Sequence, residues 1–68
     1  MGIISRMYEN LNYTENMEKW IVKRKEQGVT QKDIARDMSC TESMISRVEN
    51  FKRKSYAAYY YYMRRFGG

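Results

Sequence analysis

The chain has 68 residues, 13 Lys plus Arg against 8 Asp plus Glu, a formal charge of +5, no His, no Pro and one Cys. A chain of this size makes one domain and buries only roughly 60% of its unfolded surface, which leaves little room for a deep substrate pocket beside a core. Missing His removes the usual general base and metal ligand, a lone Cys excludes an internal disulfide and zinc-type spacing, and the short apolar runs exclude a membrane span or signal-peptide core. The expectation is a small, reduced, intracellular binding module that is not an enzyme, holds no metal or cofactor, and leans on partner subunits.

In chain order, residues 1–11 carry Ile3, Ile4, Met7, Tyr8 and Leu11, whose helical spacing can line one face; a frayed N-terminal arm is the competing reading. Asn12 or Thr14 can cap the next helix, which runs to about Gln27 and turns Met17, Trp20, Ile21 and Arg24 to one side. Gly28 supplies its C-terminal stop. Thr30 and Asp33 form a variant capping box, with Asp in place of the usual Glu or Gln. It opens a helix over residues 31–38 that buries Ile34, Ala35 and Met38. Ser39 and Cys40 interrupt, and Thr41 caps a further helix over residues 42–50 with Met44, Ile45 and Val48 as its inner side. A basic connector at residues 51–54 precedes an aromatic segment, residues 55–66, capped by Ser55.

The aromatic segment is ambiguous. As a helix it places Tyr56, Tyr59, Tyr60, Met63 and Phe66 on the packed side, with Tyr61 and Tyr62 pointing elsewhere. Its strand propensity leaves open a C-terminal strand pairing two subunits, although the two Ala and the spacing favour a helix. Tyr suits interfaces because it joins apolar area to a polar tip, so Tyr59, Tyr61, Tyr62 and Phe66 are candidate dimer contacts. Stacking on single-stranded bases is conceivable, but a packed or dimerising tail ranks above it.

The charge is uneven. Residues 1–34 hold six basic and five acidic side chains, whereas residues 35–68 hold seven and three. Lys52, Arg53, Lys54, Arg64 and Arg65 make most of the excess. Such runs serve solubility or a polyanion, and nucleic acid ranks above an anionic membrane.

The two helices over residues 31–50 form a helix-turn-helix signature. A small residue, Ala35, stands where two such helices must approach, and Ile34, Met38, Cys40, Ile45 and Val48 can seal the angle between them. The outer face of the second helix is polar: Glu42, Ser43, Ser46, Arg47 and Asn50. Residues 28–50, GVTQKDIARDMSCTESMISRVEN, resemble the Cro/cI-type, lambda-repressor-like helix-turn-helix regulators. The pattern runs through "G-hydrophobic-T-Q", "IA" and "S-x-x-x-IS-x-x-EN" without gaps, and residues 17–50 are covered well. The resemblance implies that Gln31 contacts a phosphate, that Thr41, Glu42, Ser43, Ser46 and Arg47 reach bases or adjacent phosphates, and that Asn50 contacts the backbone. It also implies an Arg24–Glu49 pair tying the first helix to the recognition helix. Two positions depart from the pattern. Ser39 stands where Gly is usual in the turn, at a cost of about 1 kcal/mol for a left-handed backbone, and Phe51 replaces a Gly that often follows the second helix.

Each candidate has a plainer reading. Arg47 suits bidentate contact with guanine or an ordinary surface ion pair. Glu42 can accept from cytosine or serve the helix dipole. Ser43 and Ser46 stand out only by position, and Cys40 reads as a small core filler. Trp20 is a core anchor, and the Met residues, Met63 included, fit irregular core gaps.

Together these readings give an all-α domain over residues 1–68, a compact bundle of four to five short helices containing a helix-turn-helix. The expected partner is double-stranded DNA, bound sequence-specifically by a homodimer, with Lys52, Arg53 and Lys54 on phosphates and no membrane or small-molecule ligand. By resemblance the role is a transcriptional regulator, a phage or mobile-element repressor acting by promoter occlusion in the bacterial cytoplasm. The alternative is a helix-turn-helix module used for protein–protein interaction with a polymerase, a nuclease or a partner regulator.

Overall fold

A computed structural model describes residues 2–67, with side chains from residue 12 onward. Four helices account for its regular structure: α1 (Gly2–Glu26), α2 (Gln31–Asp37), α3 (Glu42–Glu49) and α4 (Tyr56–Phe66). No strand occurs among the described residues, so the aromatic tail is a helix.

The first helix departs from the sequence reading. No break occurs at Asn12 or Thr14, and α1 runs unbroken for 25 residues. At 1.5 Å per residue this is about 37 Å, matching the longest dimension of the molecule, 38 Å. Its continuity has a physical basis: Tyr13, Met17, Trp20 and Arg24 recur at helical spacing and are all buried, while Asn12 and Thr14 lie on the exposed side. Asparagine and threonine cap a helix only where the chain enters it, and here the buried Tyr13 and Met17 hold the backbone helical through them. The expected apolar face at Ile3, Ile4, Met7, Tyr8 and Leu11 lies outside the described side chains.

The other three starts follow the sequence. Thr30 and Asp33 exchange backbone and side-chain hydrogen bonds at 3.1 Å, closing the capping box of α2. These bonds, the Thr30 N–H foremost, hold the Asp33 carboxyl below the usual carboxylate range. Thr41 accepts from the Met44 N–H, and Ser55 from the Ala58 N–H. Such caps each stabilise a helix by about 1 kcal/mol.

Three helices also end alike. After α1, Gly28 takes φ +73°; after α2, Ser39 takes φ 55°; after α3, Phe51 takes φ 59°. In each case the next residue's N–H reverts to the helix: Val29 to the Arg24 carbonyl, Cys40 to Ala35, and Lys52 to Arg47, at 2.9–3.0 Å. This pairing is the Schellman ending, which requires a left-handed residue. Only one of the three is glycine, so Ser39 and Phe51 hold the same geometry under strain.

The core gathers Tyr13, Met17 and Trp20 of α1, Ile34 and Ala35 of α2, Ile45 and Val48 of α3, and Ala58, Tyr62 and Phe66 of α4. Helix α1 packs on α4 and α3, and α2 packs on α3. Contacts advance together along α1 and α4. The Tyr13 ring meets Tyr56, and Trp20 meets Tyr59 further on. The Tyr13 hydroxyl also accepts from the Ser55 N–H at 3.1 Å, which pins the start of α4.

The phase of α4 corrects the sequence reading. Ala58, Tyr62 and Phe66 face inward, while Tyr56, Tyr60 and Met63 are exposed. A run of four tyrosines has no periodicity of its own, and one position of register turns a helix by about 100°. Met63 therefore does not fill the core.

Candidate nucleic-acid interface

The candidate surface is built on α3. Its inner side is fixed by Ile45 and Val48, both fully buried, and by Glu49 at its last turn. Glu49 is 9% exposed and Arg24 is 6% exposed. Arg24 donates to both carboxylate oxygens, Nε to Oε2 at 2.7 Å and Nη2 to Oε1 at 2.8 Å, and its Nη1 donates to the Val29 carbonyl at 2.6 Å. The pair inferred from the sequence is therefore present, and it is structural.

Two further donors meet the same carboxylate. Gln31 Nε2 donates to Glu49 Oε1 at 3.0 Å, and the Tyr62 hydroxyl donates to Oε2. Burial first, and the neighbouring carboxylate second, push the Tyr62 phenol well above its ordinary value. Glu49 on α3 thus binds one side chain from each of the other three helices. No buried side-chain polar atom among the described residues lacks a partner, as a low-dielectric interior demands.

Outward from this anchor, Thr41, Glu42, Ser43 and Arg47 are exposed. Arg47 enters no ion pair among the described residues. Ser46 is half-buried, and Asn50 Nδ2 donates to its backbone carbonyl at 2.8 Å and to its hydroxyl at 3.3 Å. Asn50 must leave these bonds to reach a phosphate. Gln31 has one amide hydrogen committed to Glu49, so its role here is first to align α2 with α3. Lys52 and Arg53 are exposed beyond α3. Lys54 instead sets its ammonium over the rings of Tyr13 and Tyr56, 5.2 and 5.3 Å from their centroids.

The candidate dimer contacts divide. Tyr62 and Phe66 are buried within their own chain, which removes them from any surface offered to a second subunit. Tyr59 is half-buried, stacked on Tyr13, and its hydroxyl accepts from Asn16 at 3.0 Å. The Tyr61 hydroxyl donates to Asp37 at 2.6 Å, and Arg65 reaches the same carboxylate at 2.9 Å, clamping α4 to the end of α2. Partial burial and the Asp37 bond raise the Tyr61 phenol above its ordinary value.

Compared with known protein families, with curated proteins and with solved structures, the chain gives no match. The functional reading therefore rests on the residues themselves. Among the described residues no group of three or more His, Cys, Asp and Glu is placed to hold a metal ion. No helix there is long and apolar enough to cross a membrane.

The Tyr62 and Gln31 bonds to Glu49 and the Tyr61–Asp37–Arg65 clamp had no local signal, whereas the buried Tyr13 shares the helical spacing of Met17 and Trp20. Each of these bonds joins residues distant in sequence, and only a donor count around Glu49 would have pointed to the first two.

Proposed function

We propose that the chain is a sequence-specific duplex-DNA-binding regulator, with α2 and α3 as a helix-turn-helix and α3 as its recognition helix. The observation that carries this reading is the division of α3 into a clamped inner side and an outer side of exposed Thr41, Glu42, Ser43 and Arg47. A recognition helix needs both: a fixed position against the body and hydrogen-bonding groups aimed at base edges. The spacing of residues 28–50, which resembles the Cro/cI-type regulators, supports the same assignment. Binding rather than catalysis is the proposed activity, and repression by promoter occlusion is its simplest consequence.

Arg47 is the proposed base reader, Glu42 and Ser43 its neighbours in the groove, and Lys52 and Arg53 the phosphate contacts. A homodimer on DNA would bring two recognition helices about 34 Å apart. Its contact would lie away from Tyr62 and Phe66.

Selection on random duplexes by gel shift, at two salt concentrations, tests the proposal. Arg47→Ala should relax specificity at one base position, at about 1–3 kcal/mol. Lys52→Ala or Arg53→Ala should weaken all sequences alike and lower the salt slope by about one. Unchanged binding of selected and random DNA by Arg47→Ala would remove α3 as the reading element.

A further inference from the structure

Beyond α3 the surface changes character. From residue 50 to residue 68 there are five basic side chains and no acidic one. On the same stretch stand three large exposed rings: Phe51 at 43%, Tyr56 at 53% and Tyr60 at 57%. Two shallow hollows lie among them. One is bounded by Phe51, Arg53, Lys54 and Tyr13; the other by Tyr13, Tyr56 and Tyr60. Both are bounded by Tyr13, which is itself buried and lies between them.

The rings are pre-ordered. The Tyr13 and Tyr56 ring centroids are 6.0 Å apart, edge to face, and Tyr59 and Tyr60 meet similarly at 5.9 Å. The Lys54 ammonium lies over both Tyr13 and Tyr56, which holds a positive charge beside the rings. Exposed rings with cations nearby are what an unpaired nucleic-acid strand requires: bases stack on rings while the backbone is neutralised alongside. Duplex DNA offers no base faces to such a surface, because its bases are stacked on each other. A second copy of this chain fits poorly, since Arg53 and Lys54 would face their like.

We infer that the exposed rings of Phe51, Tyr56 and Tyr60, with Arg53 and Lys54 beside them, form a binding site for single-stranded nucleic acid that is distinct from the base-reading residues of α3 and shares Arg53 with its phosphate contacts. It begins where α3 ends, so a strand unpaired beside a bound duplex site can reach it. The inference does not depend on the recognition residues: Arg47 is not part of this site.

The test uses a fluorescently labelled oligothymidylate of 20 nucleotides and measures its affinity by anisotropy with the full chain. Tyr60→Ala and Tyr56→Ala, both at exposed positions, are expected to weaken binding roughly five- to a hundredfold each, the range for one lost base–ring stack. Tyr60→Phe should retain binding, because it keeps the ring, and Arg47→Ala should leave oligothymidylate affinity unchanged. Far-UV circular dichroism establishes that each variant remains folded. The inference is overturned if Tyr60→Ala and Tyr56→Ala bind oligothymidylate as the parent does, since attraction to any polyanion then explains the binding. It is equally overturned if the parent does not bind the oligonucleotide, whether it binds phosphatidylserine vesicles or forms dimers that Tyr60→Ala abolishes. Failure of duplex selection with oligothymidylate binding intact would remove the α3 proposal and leave this one standing.

Discussion

Ser39 and Phe51 do with a side chain what Gly28 does without one. All three sit in the left-handed region at a helix end, where a Cβ brings a steric cost of roughly 1–2 kcal/mol. The surrounding hydrogen bonds over-determine the geometry, so the strain is carried rather than relieved. Ser39→Gly is expected to stabilise the domain by up to about 1 kcal/mol, after the added flexibility of the unfolded chain is discounted. For a domain of this size that raises the thermal midpoint by about 4–8 °C at most. Gly28→Ala should shift the midpoint in the opposite direction; open space surrounds the added Cβ, so backbone strain is the whole cause. Calorimetry of both variants checks the assignment, and a midpoint lowered by Ser39→Gly would contradict it.

At the scale of an element, α4 shows how a helix with an uninformative pattern acquires a definite face. Alanine content and the Ser55 cap make it a helix, but four successive tyrosines can bury any side. The inward face is selected by partners on other helices: Glu49 accepts from Tyr62, the Tyr13 hydroxyl takes the Ser55 N–H, and Asp37 holds Tyr61. The Tyr62 bond also gives the fold a pH dependence. Its folded-state phenol value lies above the ordinary one, so its contribution is complete below about pH 10 and is lost as the pH rises above that. Alkaline titration followed by circular dichroism should show stability falling from about pH 10. In Tyr62→Phe that decline should be shallower. At neutral pH the same substitution should be destabilising by about 1.5–3 kcal/mol, the range for a hydrogen bond to a charged group.

The whole molecule is organised around one carboxylate. Glu49 on α3 receives Arg24 from α1, Gln31 from α2 and Tyr62 from α4, so a single acceptor fixes the relative positions of all four helices. Removing the charge leaves the Arg24 guanidinium buried without a counter-ion, a loss of about 3–5 kcal/mol. A core this small rarely supplies more than about 3–5 kcal/mol in total. Glu49→Gln is therefore expected to unfold the domain largely at 25 °C, with helix signal and Trp20 fluorescence lost in one transition. The double substitution Arg24→Met/Glu49→Leu should recover part of the stability, because no charge then remains buried. Retention of a cooperative fold by Glu49→Gln would show that the apolar core alone sets the arrangement.

Local chemistry made much of this protein legible in its sequence. Thr30, Thr41 and Ser55 sit at helix starts because short hydroxyls satisfy the open N–H groups there. Ile34, Ala35, Ile45 and Val48 mark inner faces because their spacing follows the helix period. The Arg24–Glu49 pair was implied only by the resemblance of residues 17–50 to the Cro/cI-type regulators. Tertiary structure decided the continuity of α1 through Asn12 and Thr14, the rotation of α4, and the inward turn of Gln31. It also decided which aromatic rings stay outside, and so where a base could stack. In each of these cases local preference was nearly balanced, and bonds between residues far apart in the chain supplied the difference.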